Sequence, residues 1–135
     1  MKKHLAIFSK TGVEALFSGT KTIESRFSRD RISPFGQVDT DDLVYVKPSG
    51  EEIVGQFKVA KIISFSGMDT ADLDHIRAQY GSGISFGSAE EDTKYFKSHA
   101  NARYCTLIFI KELERFLTPP VKIAKKDLRG WAVLD

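Results

Sequence analysis

Apolar residues gather into short runs along the chain, and most of these runs have the length of a β-strand. Residues 4–9, 43–48 and 130–135 form three short runs, and residues 53–65 and 102–113 form two longer ones. β-Branched and aromatic side chains are frequent in them, as is typical of strands. The run 102–113 is apolar on both faces, which predicts a central strand.

One more strand is predicted between the first two of these runs, at residues 21–27. Its sequence, KTIESRF, begins at Lys21 and alternates between polar and apolar residues. Successive side chains of a strand point to opposite faces. Ile23 and Phe27 are therefore predicted to face the core, and Glu24 and Arg26 are predicted to share the opposite face. Lys21 stands at the entry of this strand, next to a turn.

Three segments, residues 11–19, 69–80 and 88–99, have helical patterns that begin at capping residues. In the first segment, Thr11 and Glu14 have the spacing of a capping box. In such a box a hydroxyl and a carboxylate satisfy backbone N–H groups that lack partners inside the helix. The sequence therefore predicts two or three helices.

The second and third predicted helices lie in a part of the chain, residues 66–102, that interrupts the series of strands. A glycine-rich stretch, residues 81–88, is predicted to connect them flexibly. The segment is therefore predicted to be a helical insertion or a lid. The sequence does not determine whether it closes over a site.

The number and order of these elements predict an α+β, mainly β fold. About six mixed or antiparallel strands are joined mostly by turns, which favours a small pseudo-barrel decorated with helices over a doubly wound sheet. Gly55 and Lys61 interrupt the regular pattern of the longest strand, as in barrel strands that bend. The length of 135 residues fits one domain spanning residues 1–135.

Composition sets limits on compartment and partners. Charged residues make up 28% and the net charge is only +2, so any nucleic-acid interface must concentrate its cations on one face. The single cysteine, Cys105, excludes an internal disulfide and lies in an apolar run, which predicts a buried thiol in a reducing compartment. No stretch approaches the ~20 apolar residues of a membrane span, so we expect a cytoplasmic protein with no membrane partner.

Several enzyme templates are absent from the sequence. It contains neither a phosphate-binding P-loop nor a dinucleotide-binding glycine motif. His4, His75 and His99 are far apart and have no ligand residues at metal-binding spacing. The sequence therefore predicts no cofactor and no metal site.

The charged residues of the predicted strand 21–27 allow two interpretations from physical chemistry alone. As a solvated strand face, each exposed ion pair would contribute only ~0–1 kcal/mol. In a cleft, the carboxylate of Glu24 could accept hydrogen bonds from base amino groups, while Lys21 and Arg26 could hold phosphate or carbonyl oxygens. A partly desolvated lysine beside a carboxylate could also transfer protons.

The same residues resemble the core motif of the ASCH domain, the activating-signal-cointegrator homology family of the PUA-like superfamily. The family motif has the form G-x-K-x-x-E-x-R, and it stands here as Gly19, Lys21, Glu24 and Arg26. The stretches VDTDDLVYVKPSG and IVGQFKVAKII resemble the acidic turn and the strand that follow in the family. The aromatic-rich strand 104–110 and the closing RGWAVL are also consistent with it.

The resemblance implies a PUA-like pseudo-barrel with the motif lining a cleft, and it implies RNA or nucleotide ligands. Some ASCH proteins are enzymes, either ribonucleases or hydrolases of N4-acetylcytidine. The amidohydrolase subgroup carries a threonine where this chain has Glu24, although its lysine and arginine match Lys21 and Arg26. Thr22 is nearby but one residue out of register, so this departure weighs against the amidohydrolase mechanism.

The favoured hypothesis is an RNA- or nucleotide-binding module of undetermined oligomeric state. The cleft residues that we expect to bind the ligand are Ser9, Lys10, Lys21, Glu24, Arg26 and Tyr45. The cations expected to contact the nucleic-acid backbone are Arg29, Arg31, Lys122, Lys125, Lys126 and Arg129.

Two alternatives remain open from the sequence. The first is a hydrolase acting on RNA or a modified nucleoside, with Lys21 and Glu24 as the catalytic acid–base pair. The second is a protein-interaction module in transcriptional regulation, which the family name suggests but no surface feature of this sequence singles out.

Overall fold

Six strands and three helices follow one another in the computed structural model, which describes residues 1–118 and 130–134. In chain order they are β1 (Lys3–Phe8), α1 (Lys10–Phe17), β2 (Ile23–Ser28), β3 (Leu43–Pro48), β4 (Gly55–Ser66), α2 (Thr70–Ile84), α3 (Ala89–Ser98), β5 (Tyr104–Arg115) and β6 (Trp131–Leu134).

The strands form one mixed sheet in the order β2-β5-β4-β3-β1-β6, curved into a half-barrel. Strands β1 and β3 are parallel, and the other neighbouring pairs are antiparallel. This architecture confirms the predicted α+β, mainly β pseudo-barrel. The edge strands are β2, which carries the charged motif, and β6.

Each face of the sheet carries its own hydrophobic core. The inner core lies inside the half-barrel and includes Phe57 and Ile108, packed with side chains of α1. The outer core includes Leu107 and is covered by α2 and α3 through Ile76 and Phe96. Leu107 and Ile108 are consecutive in β5 and enter different cores, which explains why this strand is apolar on both faces.

The long strand β4 bends near its start. Its pairing with β5 shifts register between Gln56 and Lys58 and again between Val59 and Lys61. At Gly55 a Cβ atom would lie 2.4 Å from the carbonyl oxygen of Glu114, so only glycine allows this close approach of two backbones. The predicted irregularity is confirmed.

The start of α1 differs from the prediction. Ser9, in extended conformation after β1, is the N-cap, and its hydroxyl accepts a 3.0 Å hydrogen bond from the backbone N–H of Gly12. The proposed capping box of Thr11 and Glu14 is therefore wrong, because the helix already begins at Lys10. An N-cap must precede the first helical residue.

Helix α2 extends further than its sequence pattern indicates. Its N-cap Asp69 forms the expected box with Asp72, but the helix continues through the glycine-rich stretch to Ile84. At Gly83 a Cβ atom would lie 2.6 Å from Cδ1 of Ile23. Glycine at this position allows α2 to pack closely on β2, and the connector to α3 shrinks to residues 85–88.

Candidate functional site

The motif begins at a turn that holds its lysine in place. Gly19 follows α1 with a positive φ of 85°, a conformation that favours glycine. The backbone N–H of Lys21 then donates to the carbonyl of Ala15 at 2.9 Å, and that of Thr22 donates to the carbonyl of Gly83 at 2.8 Å. The backbone of Lys21 and Thr22, which precede β2, is thereby fixed between α1 and α2.

The Lys21 side chain is buried, with only 2% of the residue exposed. Its ammonium donates to the carbonyl of Ile84, lies 3.8 Å from the centre of the Phe86 ring, and is 3.9 Å from Oε1 of Glu24. Desolvation lowers the pKa of Lys21, although the charge of Glu24 acts in the opposite direction. The residue is a desolvated lysine that forms an ion pair with Glu24.

Glu24 forms the centre of the charged group. Its Oε1 accepts from the backbone N–H of Ser25 at 3.0 Å, and its Oε2 accepts from Arg26 at 3.0 Å. An ionised carboxylate has about four lone-pair sites, so capacity for a further donor remains. Glu24 is only 5% exposed, and the interpretation of the motif as a solvated strand face is therefore wrong.

Arg26 connects the two ends of the curved sheet. From edge strand β2 its guanidinium donates to the carbonyl of Ile7 in β1 at 2.9 Å and to that of Gly130, just before β6, at 3.3 Å. The same group packs over the rings of Phe8 and Trp131, with distances of 5.1 and 5.2 Å to the ring centres. Arginine suits this position because its planar, forked donors reach several acceptors at once.

Glu24 and Arg26 lie in the wall of a cavity of about 360 Å³, within the usual range for small-molecule sites. Aromatic rings from β1, β2 and the helical segment form much of the remaining wall. The lining residues are Ile7, Phe8, Ser9, Gly12, Glu24, Ser25, Arg26, Phe27, Phe86, Tyr95 and His99. Lys21 is not among them and lies behind the wall.

The charges on the cavity lining balance. One guanidinium faces one carboxylate, and the two other titratable side chains are uncharged at neutral pH. Desolvation lowers the pKa of His99, whose ring stacks on Phe27 at 5.0 Å. Desolvation raises the pKa of Tyr95, whose hydroxyl lies 2.7 Å from Oγ of Ser25. The cavity therefore fits a neutral polar group better than a free anion.

The helical segment supplies cavity residues that the sequence analysis missed. Phe86 lies in the connector, which Asp92 fixes by accepting 2.7 Å hydrogen bonds from the Phe86 N–H and the Ser85 hydroxyl. Tyr95 and His99 are four residues apart, so they share one side of α3 and its C-terminal end. Their spacing was visible in the sequence, but nothing in it indicated which surface that side would cover.

The other predicted cleft residues divide into two groups. Ser9 lines the cavity, although its hydroxyl already caps α1. Lys10 is exposed at 3.9 Å from a carboxylate oxygen of Glu51, and Tyr45 is half-buried in β3. Neither Lys10 nor Tyr45 lines this cavity.

Two of the predicted backbone-binding cations lie in the loop that follows β2. Arg29 and Arg31 are both exposed, and the guanidinium of Arg31 packs over the ring of Phe35 at 5.1 Å. The other predicted cations, Lys122, Lys125, Lys126 and Arg129, lie outside the described residues.

Two further properties concern only the part of the chain that the structure describes. Within residues 1–118 and 130–134, His, Cys, Asp and Glu side chains do not gather in a group of three that could hold a metal ion. In the same ranges no helix has the length and apolar character needed to cross a bilayer.

Comparison of the sequence with protein-family models and with curated proteins gives no match. Comparison of the structure with solved structures gives several matches. An ASCH protein from Zymomonas mobilis superimposes with a TM-score of 0.62 at 16% identity, over 84% of this chain and 70% of that one.

A single-residue variant of the same Zymomonas mobilis protein matches with a TM-score of 0.69 at 14% identity, over 99% of this chain and 89% of that one. Hypothetical protein PH0355 matches with a TM-score of 0.56 at 17% identity, over 86% of this chain and 100% of PH0355. The chain therefore has the ASCH-domain fold that its motif resembles.

Proposed function

We propose that this protein binds RNA or a nucleotide, with one nucleobase held in the 360 Å³ cavity. The observation that carries the proposal is the Glu24–Arg26 pair, joined at 3.0 Å in the cavity wall. A carboxylate with spare acceptor capacity lies there beside a guanidinium. Together they match a base edge that combines an amino donor with a carbonyl acceptor.

The shape and charge of the cavity support a base rather than a phosphate as its occupant. The walls include the rings of Phe8, Phe27, Phe86 and Tyr95, and single-stranded recognition commonly stacks splayed bases on aromatic side chains. In the cavity lining, the guanidinium of Arg26 is already paired with the carboxylate of Glu24. The motif resemblance and the ASCH fold support RNA or a nucleotide as the source of that base.

Lys21 has an indirect role in this proposal. Its ammonium is 3.9 Å from Glu24 and is separated from the cavity by Phe86, over whose ring it packs. We assign Lys21 to positioning Glu24. The phosphates lie outside the cavity, where the exposed cations Arg29 and Arg31 of the neighbouring loop are available.

The test measures binding of a labelled single-stranded RNA hexamer of mixed sequence to wild type and to Glu24→Gln. The substitution keeps the shape but removes the charged acceptor, and we expect affinity to fall about 10- to 150-fold. The matched control is Glu90→Gln on α3, which removes an exposed carboxylate 3.5 Å from Lys94. Equal affinity in all three proteins, each shown to be folded by circular dichroism, would disprove the proposal.

A hydrolase acting on RNA or a modified nucleoside is the second candidate. The lowered pKa of Lys21 beside Glu24 favours it, because a desolvated lysine near a carboxylate is suited to proton transfer. For this function Phe86 must move to expose the ammonium. The test is incubation with labelled RNA and with N4-acetylcytidine. Product formed by wild type but not by Lys21→Met supports a hydrolase. Substrate that stays unchanged at saturating wild-type protein rejects it.

A further inference from the structure

A second, smaller cavity also has Arg26 in its wall. Its volume is about 170 Å³, and it shares Arg26 and Phe27 with the larger cavity. The two spaces are therefore neighbours that share these two side chains. The residues that line the smaller cavity are Arg26, Phe27, Ser28, Ile32, Ser33, Pro34, Phe35, Thr106, Gly130 and Trp131.

The wall of the smaller cavity contains a buried hydroxyl, that of Thr106. Thr106 is 1% exposed, and its Oγ1 makes no hydrogen bond within the part of the chain that the structure describes. Thr106 pairs directly with Arg26 across β2 and β5, so both side chains lie on the same face of the sheet. Unsatisfied buried polar atoms are rare in native proteins because they are costly, and each requires an explanation.

The rest of the lining is largely aromatic and aliphatic. Phe35 and Trp131 contribute rings, and Ile32 is an aliphatic side chain that remains 49% exposed at the cavity. The space exceeds the roughly 30 Å³ that one water occupies in the liquid. A flat ring with a polar edge fits such a space, because its faces meet apolar walls while its edge can meet a hydroxyl.

We propose that the smaller cavity is a subsite for the base of a second, adjacent nucleotide. The hydroxyl of Thr106 hydrogen-bonds to the edge of that base, and Arg26 lies between the two bases. The inference rests on the proposed function and deepens it. The ligand is then a single strand of at least two nucleotides rather than a free nucleoside.

Thr106→Val and Thr106→Ser separate the hydroxyl from the packing at this position. Valine keeps the shape of threonine without the hydroxyl, and serine keeps the hydroxyl without the methyl group. Binding of nucleoside monophosphates and of dinucleotides is measured by calorimetry for wild type and both variants. Their thermal unfolding is recorded to show that each is folded.

We expect wild type to bind its best dinucleotide at least about tenfold more tightly than either component mononucleotide. Thr106→Val should weaken dinucleotide binding about 2- to 13-fold, the range typical of one hydrogen bond, and leave mononucleotide binding unchanged. Thr106→Ser should retain most of the dinucleotide affinity. These three results together support the subsite.

Other outcomes overturn the subsite. Equal affinity for mononucleotides and dinucleotides in wild type would show that no second base is bound. An unchanged dinucleotide affinity in Thr106→Val would show that the hydroxyl meets only buried water. In both cases the proposed function survives if mononucleotide binding still falls in Glu24→Gln. If wild type binds neither ligand, the subsite fails, and the proposed function fails with it if the RNA hexamer is not bound either.

Discussion

Two clusters of buried polar side chains lie inside the same half-barrel and are constructed differently. The first, the His4 cluster, consists of His4, Asp42 and Trp131. The indole nitrogen of Trp131 donates to Nδ1 of His4 at 3.0 Å, and Nε2 of His4 lies 2.8 Å from Asp42. Because indole nitrogen is only a donor, Nδ1 must accept, and Nε2 carries the proton donated to Asp42.

Asp42 also accepts hydrogen bonds from the backbone. Its carboxylate accepts 2.9 Å hydrogen bonds from the N–H groups of Lys2 and Asp39. Desolvation would raise the pKa of Asp42, but the hydrogen bonds from His4 and these two N–H groups lower it below its usual value. The His4 cluster joins β1, β6 and the turn before β3 with its polar atoms satisfied internally.

The second cluster, the motif cluster, consists of Lys21, Glu24 and Arg26. It is also buried and paired, but Glu24 and Arg26 border a cavity, and Glu24 keeps acceptor capacity. The comparison shows that burial of charge does not by itself indicate function. Polar capacity that faces an open space distinguishes a candidate site from a structural network.

The largest predicted effect concerns the His4 cluster. Asp42→Ala leaves the His4 N–H and two backbone N–H groups without their acceptor, so the free energy of unfolding should fall by about 3 kcal/mol. Urea unfolding measures this loss. RNA affinity of the folded fraction should change less than about twofold, and a large loss of affinity would contradict the assignment of this cluster to structure alone.

The same variant tests the pH dependence of stability. The lowered pKa of Asp42 means that its contribution is present above the usual value of 3.8 and is lost as pH falls through the folded-state pKa. Wild type should therefore lose stability more steeply than Asp42→Ala below about pH 4. Parallel curves would show that the carboxylate is not stabilised by folding.

In the motif cluster, Arg26→Lys should affect stability and binding together. Lysine cannot reproduce the forked contacts to the carbonyls of Ile7 and Gly130 or the pair with Glu24. We expect about 1–2 kcal/mol less unfolding free energy and at least a tenfold loss of RNA affinity. Urea unfolding and fluorescence anisotropy measure the two. Full retention of binding would place Arg26 with the structural residues.

Lys21→Met tests the desolvation of the buried ammonium. A lowered folded-state pKa means that the unfolded chain binds more protons between that pKa and the usual value of 10.5. The unfolding free energy of wild type minus that of the variant should therefore increase with pH in this window, by at most about 1.4 kcal/mol per pH unit. Lys94→Met, at an exposed position on α3, is the control and should show no such increase.

The smallest predicted effect concerns the loop outside the cavity. Arg31→Ala should weaken binding of the RNA hexamer less than about fivefold, because exposed charge contacts contribute little. The slope of log affinity against log salt should decrease by about 0.7, the value for one phosphate contact on a single strand. Lys111→Ala, which removes the partner of Asp41, is the control. An unchanged slope would remove Arg31 from the interface.

Local patterns predicted most of the fold correctly. Period-two alternation placed Glu24 and Arg26 on one face of β2, opposite Ile23 and Phe27, and the structure agrees. The N-cap of α1 was misread because Ser9 and Thr11, two hydroxyl residues, both stand at the start of the helix and the pattern favoured Thr11 over Ser9. Gly83, near the end of α2, was misread because its role is close packing against Ile23 of β2, which depends on a partner distant in the sequence.

The candidate site was only partly predictable. The motif gave Glu24 and Arg26, but alternation could not reveal that Lys21 lies behind the cavity wall. Phe86, Tyr95 and His99 lie at least sixty residues after Glu24 and Arg26 in the chain, and only the packing of the helical segment beside β2 brings them to the cavity.

By itself, the sequence determined which segments form strands and their order along the chain, the face of β2 that carries Glu24 and Arg26, and the resemblance to ASCH domains. These depend on side-chain period and short-range spacing, which a linear pattern records. The tertiary structure alone decided which charges became buried and which polar atoms kept spare capacity. It also decided that the Thr106 hydroxyl lies beside a second cavity without a hydrogen-bond partner among residues 1–118 and 130–134, because burial and partner choice depend on the curvature of the sheet and the packing of distant elements.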